Sequence, residues 1–435
     1  MSNVALLLVV LVVLFALMAG GVWVFAALGV AGLLGIVLFG AGWQFSAAIQ
    51  MWGTSNSFVL SAVPLFVFLG EIMLQTGMSG SLYRGVMHWV GRIPGGLLHS
   101  NVVACALFAA ISGSNVATVA AIGSLAIPEQ QARNYDRRLI LGSIAAAGTL
   151  GILIPPSISM ILYGSWMEVS IARLFIGGII PGIFIALLFM GYIAIRCVIN
   201  PELSPKVSSN WRNRLYSIKD IWPSVTLILL IIIGIYTGLM TPTETAAVAS
   251  VFALLLAVVL RKFSLSMVYK SALAAVGTTA MVMIIVIGAK LFVMFLIFAG
   301  VTDALSRLMI SLNLSPVMVL IFIYFIYLIL GCFFDATSLL MVTLPFVGPF
   351  AVTMGFDLIW FGVIVTILLT IGHITPPIGM NLFVVVGITR GITLEEVARS
   401  ALPFFFLLLV ALAVLTIFPQ LVTWLPATML DAAPR

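Results

Sequence analysis

The chain has 435 residues, 63% of them hydrophobic and only 7% charged, whereas soluble domains carry about 25% charged residues. That balance excludes an ordinary soluble enzyme or binding module and points to a bilayer. The net charge of +6 would suggest nucleic acid in a soluble protein, but here Lys and Arg fall in short loops between apolar stretches, where they report membrane topology and no nucleic-acid partner.

Apolar stretches long enough to cross a core of roughly 30 Å recur from end to end. Residues 1–40 lack the basic start of a secretory signal and read as two spans parted near Gly20 and Gly21, with a cleaved signal as the alternative. Cys105, Cys197 and Cys332 lie scattered in apolar segments without a CxxC pair. They suggest neither a disulfide framework nor a transition-metal site. Segment 97–130 has basic residues at both ends and "SGSN" (112–115) in its middle, as expected of a re-entrant hairpin. A helix over 138–163 is interrupted by "GTLGILIPPS" (148–157). Residues 201–220 are polar and basic and read as a cytoplasmic linker. A second hairpin is expected over 316–352, with "GCFFDATS" (331–338) at its tip, then a second broken helix over 358–390 carrying "GHITPPIGMN" (372–381).

These features repeat. The proline pairs are separated by 376 − 155 = 221 residues, and the same offset carries Pro128 onto Pro349, Tyr135-Asp136 onto Phe356-Asp357 and Gly151 onto Gly372. Near-offsets relate Met18 to Met240 and "MSGSLYR" (78–84) to "VTDALSR" (301–307). Two repeats, 1–200 and 221–425, follow, with a tail at 426–435. Arg84, Arg92, Arg133, Arg137 and Arg138 flank the first hairpin, against Arg307 alone at the second. Conversely, residues 41–57 are uncharged while the corresponding region of the second half holds Arg261, Lys262 and Lys270. Basic loops mark the cytoplasm, so the halves lie oppositely in the membrane, the inverted-topology repeat of many secondary transporters. The expected fold is an all-α polytopic membrane protein with about ten spans, two hairpins and both termini outside.

Broken helices can expose carbonyls to a hard cation such as Na⁺ and helix N-termini to an anionic group. At the first constellation Ser112, Ser114 and Asn115 offer side-chain oxygens, and Gly148 and Gly151 lie where the helix opens. At the second, Asp335, Thr337 and Ser338 occupy the tip, with Gly372 and Thr375 at the break. Singly, Ser and Thr in membrane helices mostly bond their own backbone; as two symmetric sets they suggest sites. Glu71 and Lys290, at repeat-related positions, either pair structurally or face a cavity. Glu244 suits a helix-capping role, and His373 reads either as a hydrogen-bonded helix residue or as a proton relay. A serine hydrolase would pair Ser112 or Ser114 with His88, His99 or His373, but no motif spacing supports it. No HExxH, paired-carboxylate or phosphate-cradling sequence points to an enzyme or an ATP-driven pump.

The stretches "ISGSNVATVAAIGSLAIPEQQARNYD", "AAAGTLGILIPPSISMILYG", "YTGLMTPTETAAVAS" and "IGHITPPIGMNLFVV" together resemble the large membrane subunit of tripartite ATP-independent periplasmic (TRAP) transporters, over essentially the whole chain. The resemblance implies a bacterial inner-membrane, elevator-type transporter importing C4-dicarboxylates, sialic acid or keto acids with Na⁺ as coupling ion and no organic cofactor. It further implies a periplasmic substrate-binding protein and a small membrane subunit of about four spans, here expected as a separate polypeptide. Carried over, Ser112, Ser114 and the first break with Pro155 would form one Na⁺ site. The second hairpin with Gly372, Thr375 and Pro376 would form the other. Substrate would lie between the tips, near Ser114, Asn115, Thr118, Pro156, Pro377 and Asn381. Asn115 in place of a serine, Leu368 in place of a polar residue and His373 in place of an apolar one depart from the family pattern and bear on the exact ligands.

Overall fold

The computed structural model describes residues 3–39, 43–205, 211–301 and 315–429; Arg307, most of the 301–307 match and the end of the tail lie outside them. Nineteen α-helices make up the described chain. The first half runs α1 (Asn3–Ala19), α2 (Val24–Phe39), α3 (Trp43–Ser55), α4 (Ala62–Gln75), α5 (Met78–Val90), α6 (Leu98–Ser112), α7 (Asn115–Ala132), α8 (Arg137–Gly148), α9 (Ile158–Met167) and α10 (Ile171–Ile199). The second runs α11 (Trp211–Tyr236), α12 (Pro242–Val259), α13 (Leu265–Phe298), α14 (Pro316–Gly331), α15 (Ala336–Thr353), α16 (Leu358–Gly372), α17 (Met380–Ile388), α18 (Leu394–Ile417) and α19 (Gln420–Ala427).

The offset of 221 recurs in the helices themselves: α7 at 115–132 maps onto α15 at 336–353, and α8 and α16 start at 137 and 358. The paired aspartates have a physical cause. Asp136 Oδ1 accepts from the Leu139 N–H at 2.9 Å and Asp357 Oδ1 from the Trp360 N–H at 2.8 Å, so each is the N-cap of a helix that then breaks. One difference between the halves lies upstream. The single 34-residue α13 stands opposite the pair α3 and α4, bent by 46° at their junction.

Six described helices are long and apolar enough to cross a membrane, or seven if the bent pair counts as one span. Others fall short because glycines and prolines cut them: α6, α9, α14 and α16 span only 10 to 16 residues. Packing divides the helices into two sets. An outer frame forms where α13 packs along α2, α3 and α4, with α12 on α4 and α11 on α5. The remainder centres on the hairpins α6–α7 and α14–α15, whose arms pack against each other, and on the broken pairs α8–α9 and α16–α17. The halves interlock here: α7 packs on α17, and α15 on α9. Phe108, Phe175, Phe189, Phe361 and Phe404 fill this core with almost no exposure.

Candidate functional site

The first tip is a two-residue turn. Gly113 ends α6 at φ +62°, and Ser114 begins α7 as its N-cap, its Oγ accepting from the Ala117 N–H. The Thr118 hydroxyl donates to the Ser114 carbonyl at 2.7 Å, which leaves Ser112 Oγ as the donor in its 3.1 Å pair with Thr118 Oγ1. Opposite the tip, α8 tightens into a 3-10 turn at Thr149–Ile152, passes through Leu153–Pro156 and restarts at α9 with Ser157 as N-cap. The Pro155–Pro156 peptide is cis. Tip and break touch through backbone: a Cβ on Gly151 would sit 2.6 Å from the Ser114 carbonyl oxygen and 2.8 Å from the Asn115 nitrogen. Only glycine permits that approach. The structure therefore brings Ser112, Ser114, Asn115, Thr118, Gly151, Pro155 and Pro156 together.

The second constellation repeats the arrangement with other chemistry. Asp335 caps α15, its Oδ2 accepting from the Thr337 and Ser338 N–H groups at 3.0 and 3.1 Å. At Gly372 a Cβ would meet Gly331 backbone at 2.7 Å, and the Ile378 N–H donates to the Cys332 carbonyl at 3.2 Å. The Pro376–Pro377 peptide is also cis. The Thr375 hydroxyl bonds the Ile371 carbonyl at 2.6 Å, and His373 Nδ1 lies 2.7 Å from the Leu369 carbonyl oxygen. Both are bonds within the helix end. Gly379 starts α17 without a side-chain cap.

At each constellation the two hairpin arms pack on the helix that runs into the break, α6 and α7 on α8 and α14 and α15 on α16, while the restarting helices pack on the opposite hairpin, α9 on α15 and α17 on α7. Partial negative and positive charge are thereby gathered side by side. The two breaks are also joined to each other, since Asn381 Nδ2 donates to the Ala145 carbonyl at 3.0 Å and Gly148 lies close to the same amide. Buried polar atoms at the first tip and the second break stand without protein partners: both amide atoms of Asn115 and the amide oxygen of Asn381. Buried amides cost about 1–3 kcal/mol when unpaired.

The intramembrane charges separate. Glu71 borders a cavity of about 270 Å³ lined by Gly70, Ser112, Ser114, Ala117 and Thr278, directly beside the first tip. Lys290 lines different cavities with α9, α10 and the α11–α12 turn. Glu244 closes a capping box, its Oε2 accepting from the Thr241 N–H at 2.8 Å while Thr241 Oγ1 accepts from the Glu244 N–H. Sequence reading missed the contribution of Thr278 beside the first tip, because a lone threonine in an apolar helix carries no local signal. Among the described residues no group of three metal-ligating side chains gathers, and the three cysteines are buried thiols.

Residues 11–421 match the sequence family of the tripartite ATP-independent periplasmic transporter, DctM component. The chain is 38% identical over 403 residues to the C4-dicarboxylate TRAP transporter large permease protein DctM of Pseudomonas aeruginosa, covering 92% of this chain and 93% of that one. It is 34% identical over 388 residues to the sialic acid TRAP transporter large permease protein SiaM of Vibrio cholerae, covering 88% and 90%. It is also 37% identical over 369 residues to the ectoine/5-hydroxyectoine large permease protein UehC of Ruegeria pomeroyi, covering 84% and 85%. In fold it is similar to the Alcanivorax borkumensis YdaH transporter, whose crystal structure has an unusual topology, with a TM-score of 0.61 over 88% of this chain and 89% of that one at 16% identity. The chain belongs to the DctM family, the large permease component of tripartite ATP-independent periplasmic transporters.

Proposed function

We propose that this permease component imports a small organic acid by Na⁺ symport, receiving it from a periplasmic binding protein and working with a separate small membrane subunit. As a family member the chain is a transporter subunit of the bacterial inner membrane, not an enzyme. The observation that carries the reading is the convergence of each hairpin tip on its own helix break, with the unpartnered Asn115 amide at the first tip and the unpartnered Asn381 amide oxygen at the second break.

The chemistry follows from the helix ends. Carbonyl ends and the Ser112 and Ser114 oxygens suit a hard cation, while N-terminal ends attract a carboxylate. Moving a carboxylate alone through a low-dielectric core is costly. A Na⁺ held one side chain away offsets that cost, which is a physical reason to couple the two. In this reading one Na⁺ lies at Ser112, Ser114 and the first break, a second at the Asp335 tip with Gly372 and Thr375, and the acid between them near Asn115, Thr118, Pro156, Pro377 and Asn381. About ten spans cross the bilayer, the halves being inverted. The hairpin-bearing core, with α5 fastened to it, slides against the frame of α1–α4 and α11–α13 as an elevator. Relatives named for C4-dicarboxylate, sialic acid and isethionate support an anionic organic substrate. The isethionate relative, named DctMQ, extends beyond the match, which covers 63% of it; this supports a second membrane component.

The test is reconstitution with the small membrane subunit and the periplasmic binding protein of the same system. Uptake of succinate, N-acetylneuraminate or isethionate driven by an inward Na⁺ gradient, and absent when either partner is omitted, is the expected result. Uptake by the permease alone would convert the reading to a stand-alone symporter. Uptake driven equally by K⁺ would remove the sodium claim.

A further inference from the structure

We infer that a cavity whose lining includes no hairpin-tip residue is a second binding site for the carboxylate-bearing solute, a relay station on the outer side of the permease. The inference rests on the importer reading above. The cavity measures about 820 Å³ and lies where the α3–α4 bend (Ser57, Phe58), the α9–α10 junction (Glu168 to Arg173), the α11–α12 turn (Met240 to Thr243) and Lys290 of α13 come together. That volume falls within the roughly 300–1,000 Å³ of small-molecule sites.

Three observations give the cavity its chemistry. Two of its three charged lining side chains, Lys290 and Arg173, are cations. Lys290 stands half-buried in the apolar α13 and also lines a neighbouring cavity of about 540 Å³ with Gln50 and Trp166, so this residue borders two spaces. An ammonium so far along an apolar helix is costly unless it faces water or an anion. The third charge, Glu168, sits at the end of α9 in the left-handed region at φ +54°, a backbone state that is unfavourable for a non-glycine residue and recurs at functional sites. Glu168 lines the same cavity as Lys290, and an incoming carboxylate competes with it for the cations there.

Position argues the role. Basic loops put the linker between α10 and α11 on the cytoplasmic side, so the junction after α9 and the turn before α12 lie at the opposite end. The lining comes from the frame (α3–α4, α11–α12, α13) and from the hairpin-bearing set (α9–α10). A solute here spans the seam along which the proposed sliding occurs. It would reach this site before the midplane.

Protection of Lys290 from trinitrobenzenesulfonate, read by peptide mass spectrometry on the complex of the chain with its small subunit, tests the site directly. Succinate, N-acetylneuraminate and isethionate are each compared with chloride at matched Na⁺ and ionic strength. At least one acid should slow Lys290 labelling fivefold or more while Lys262 and Lys270, on the cytoplasmic side, keep their rates. Arg173→Gln should reduce that protection without changing labelling in chloride. Unchanged Lys290 labelling with all three acids, or equal slowing at all three lysines, overturns the site. Protection without Na⁺-driven uptake would sink the importer reading and leave the site standing; uptake without protection does the reverse.

Discussion

The two hairpins share one backbone plan and differ in how they are held. In the first, Gln130 Nε2 lies within bonding distance of the Tyr83 hydroxyl (3.0 Å), the Leu97 carbonyl (3.0 Å) and Asn101 Oδ1 (2.6 Å), while Asn101 Nδ2 donates to Ser143 Oγ at 2.9 Å. That network is fully buried and fastens both arms to α5 and α8. Adding 221 to residues 101, 130 and 143 gives Phe322, Ala351 and Ile364, all apolar. The second hairpin is held instead by the Thr343–Tyr327 hydroxyl contact and by the Tyr324–Thr416 pair at 2.6 Å. Its first arm turns Ile321, Phe322 and Phe325 outward at about 60% exposure, whereas α6 is almost wholly buried. The breaks differ likewise: Pro155 and Pro156 are buried, Pro376 and Pro377 exposed. The same fold unit is therefore pinned by a buried amide network in the first half and by two hydroxyl pairs in the second. The polar side chains, not the backbone, make the difference.

The largest effect is expected where the two halves are alike. Gly151→Val and Gly372→Val each drive a side chain into backbone closer than 3 Å. Overpacking costs about 1–3 kcal/mol even against movable side chains, so both variants should abolish Na⁺-driven uptake by the reconstituted system. Survival of uptake in either would mean that tip and break need not touch. Gln130→Leu comes next. It strands the Asn101 amide and the Tyr83 hydroxyl, each worth about 1–3 kcal/mol when left unpaired, and should lower thermal stability far more than Tyr327→Phe, for which about 1 kcal/mol is expected. Equal losses would erase the distinction between the two hairpins. Amide hydrogen exchange sharpens it further. Local opening energies track buried contacts, so α6 and α7 should exchange at least tenfold more slowly than α14 and α15, with Gln130→Leu narrowing the gap. The smallest stability effect belongs to Asp335→Asn. Asparagine caps a helix about as well as aspartate, so stability should change by less than about 0.5 kcal/mol. A loss of Na⁺ dependence in this variant would then report the charge alone.

The punctuation of the fold was legible because its causes are local. Proline lacks an N–H, glycine admits close backbone approach, and Asp136 and Asp357 cap the helices that follow them. Those cues mark where α6, α8, α14 and α16 end. Span counting was less legible: the bend at residues 55–59 and helices of 10 to 17 residues fall below any length test, although the chain is apolar throughout. The locking network could not be read at all. Asn101, Gln130 and Ser143 are separated by up to 42 residues, and a lone polar residue in an apolar helix looks the same whether it bonds its own backbone or a distant partner. Glu71 and Lys290 were visible as charges, yet only packing shows that they serve different cavities.

The central claim is that the first tip and its break hold a coupling Na⁺. Thermal unfolding of the purified complex, titrated with NaCl against KCl at matched ionic strength, tests it most directly. A ligand at about 100 times its dissociation constant stabilises the folded state by about 2.7 kcal/mol. The account predicts a rise in unfolding temperature with Na⁺ but not K⁺, and Ser114→Ala should lose that Na⁺ response beyond the roughly 1 kcal/mol cost of its missing cap. Superimposable curves in the two salts, with the acid and the binding protein present, would contradict it.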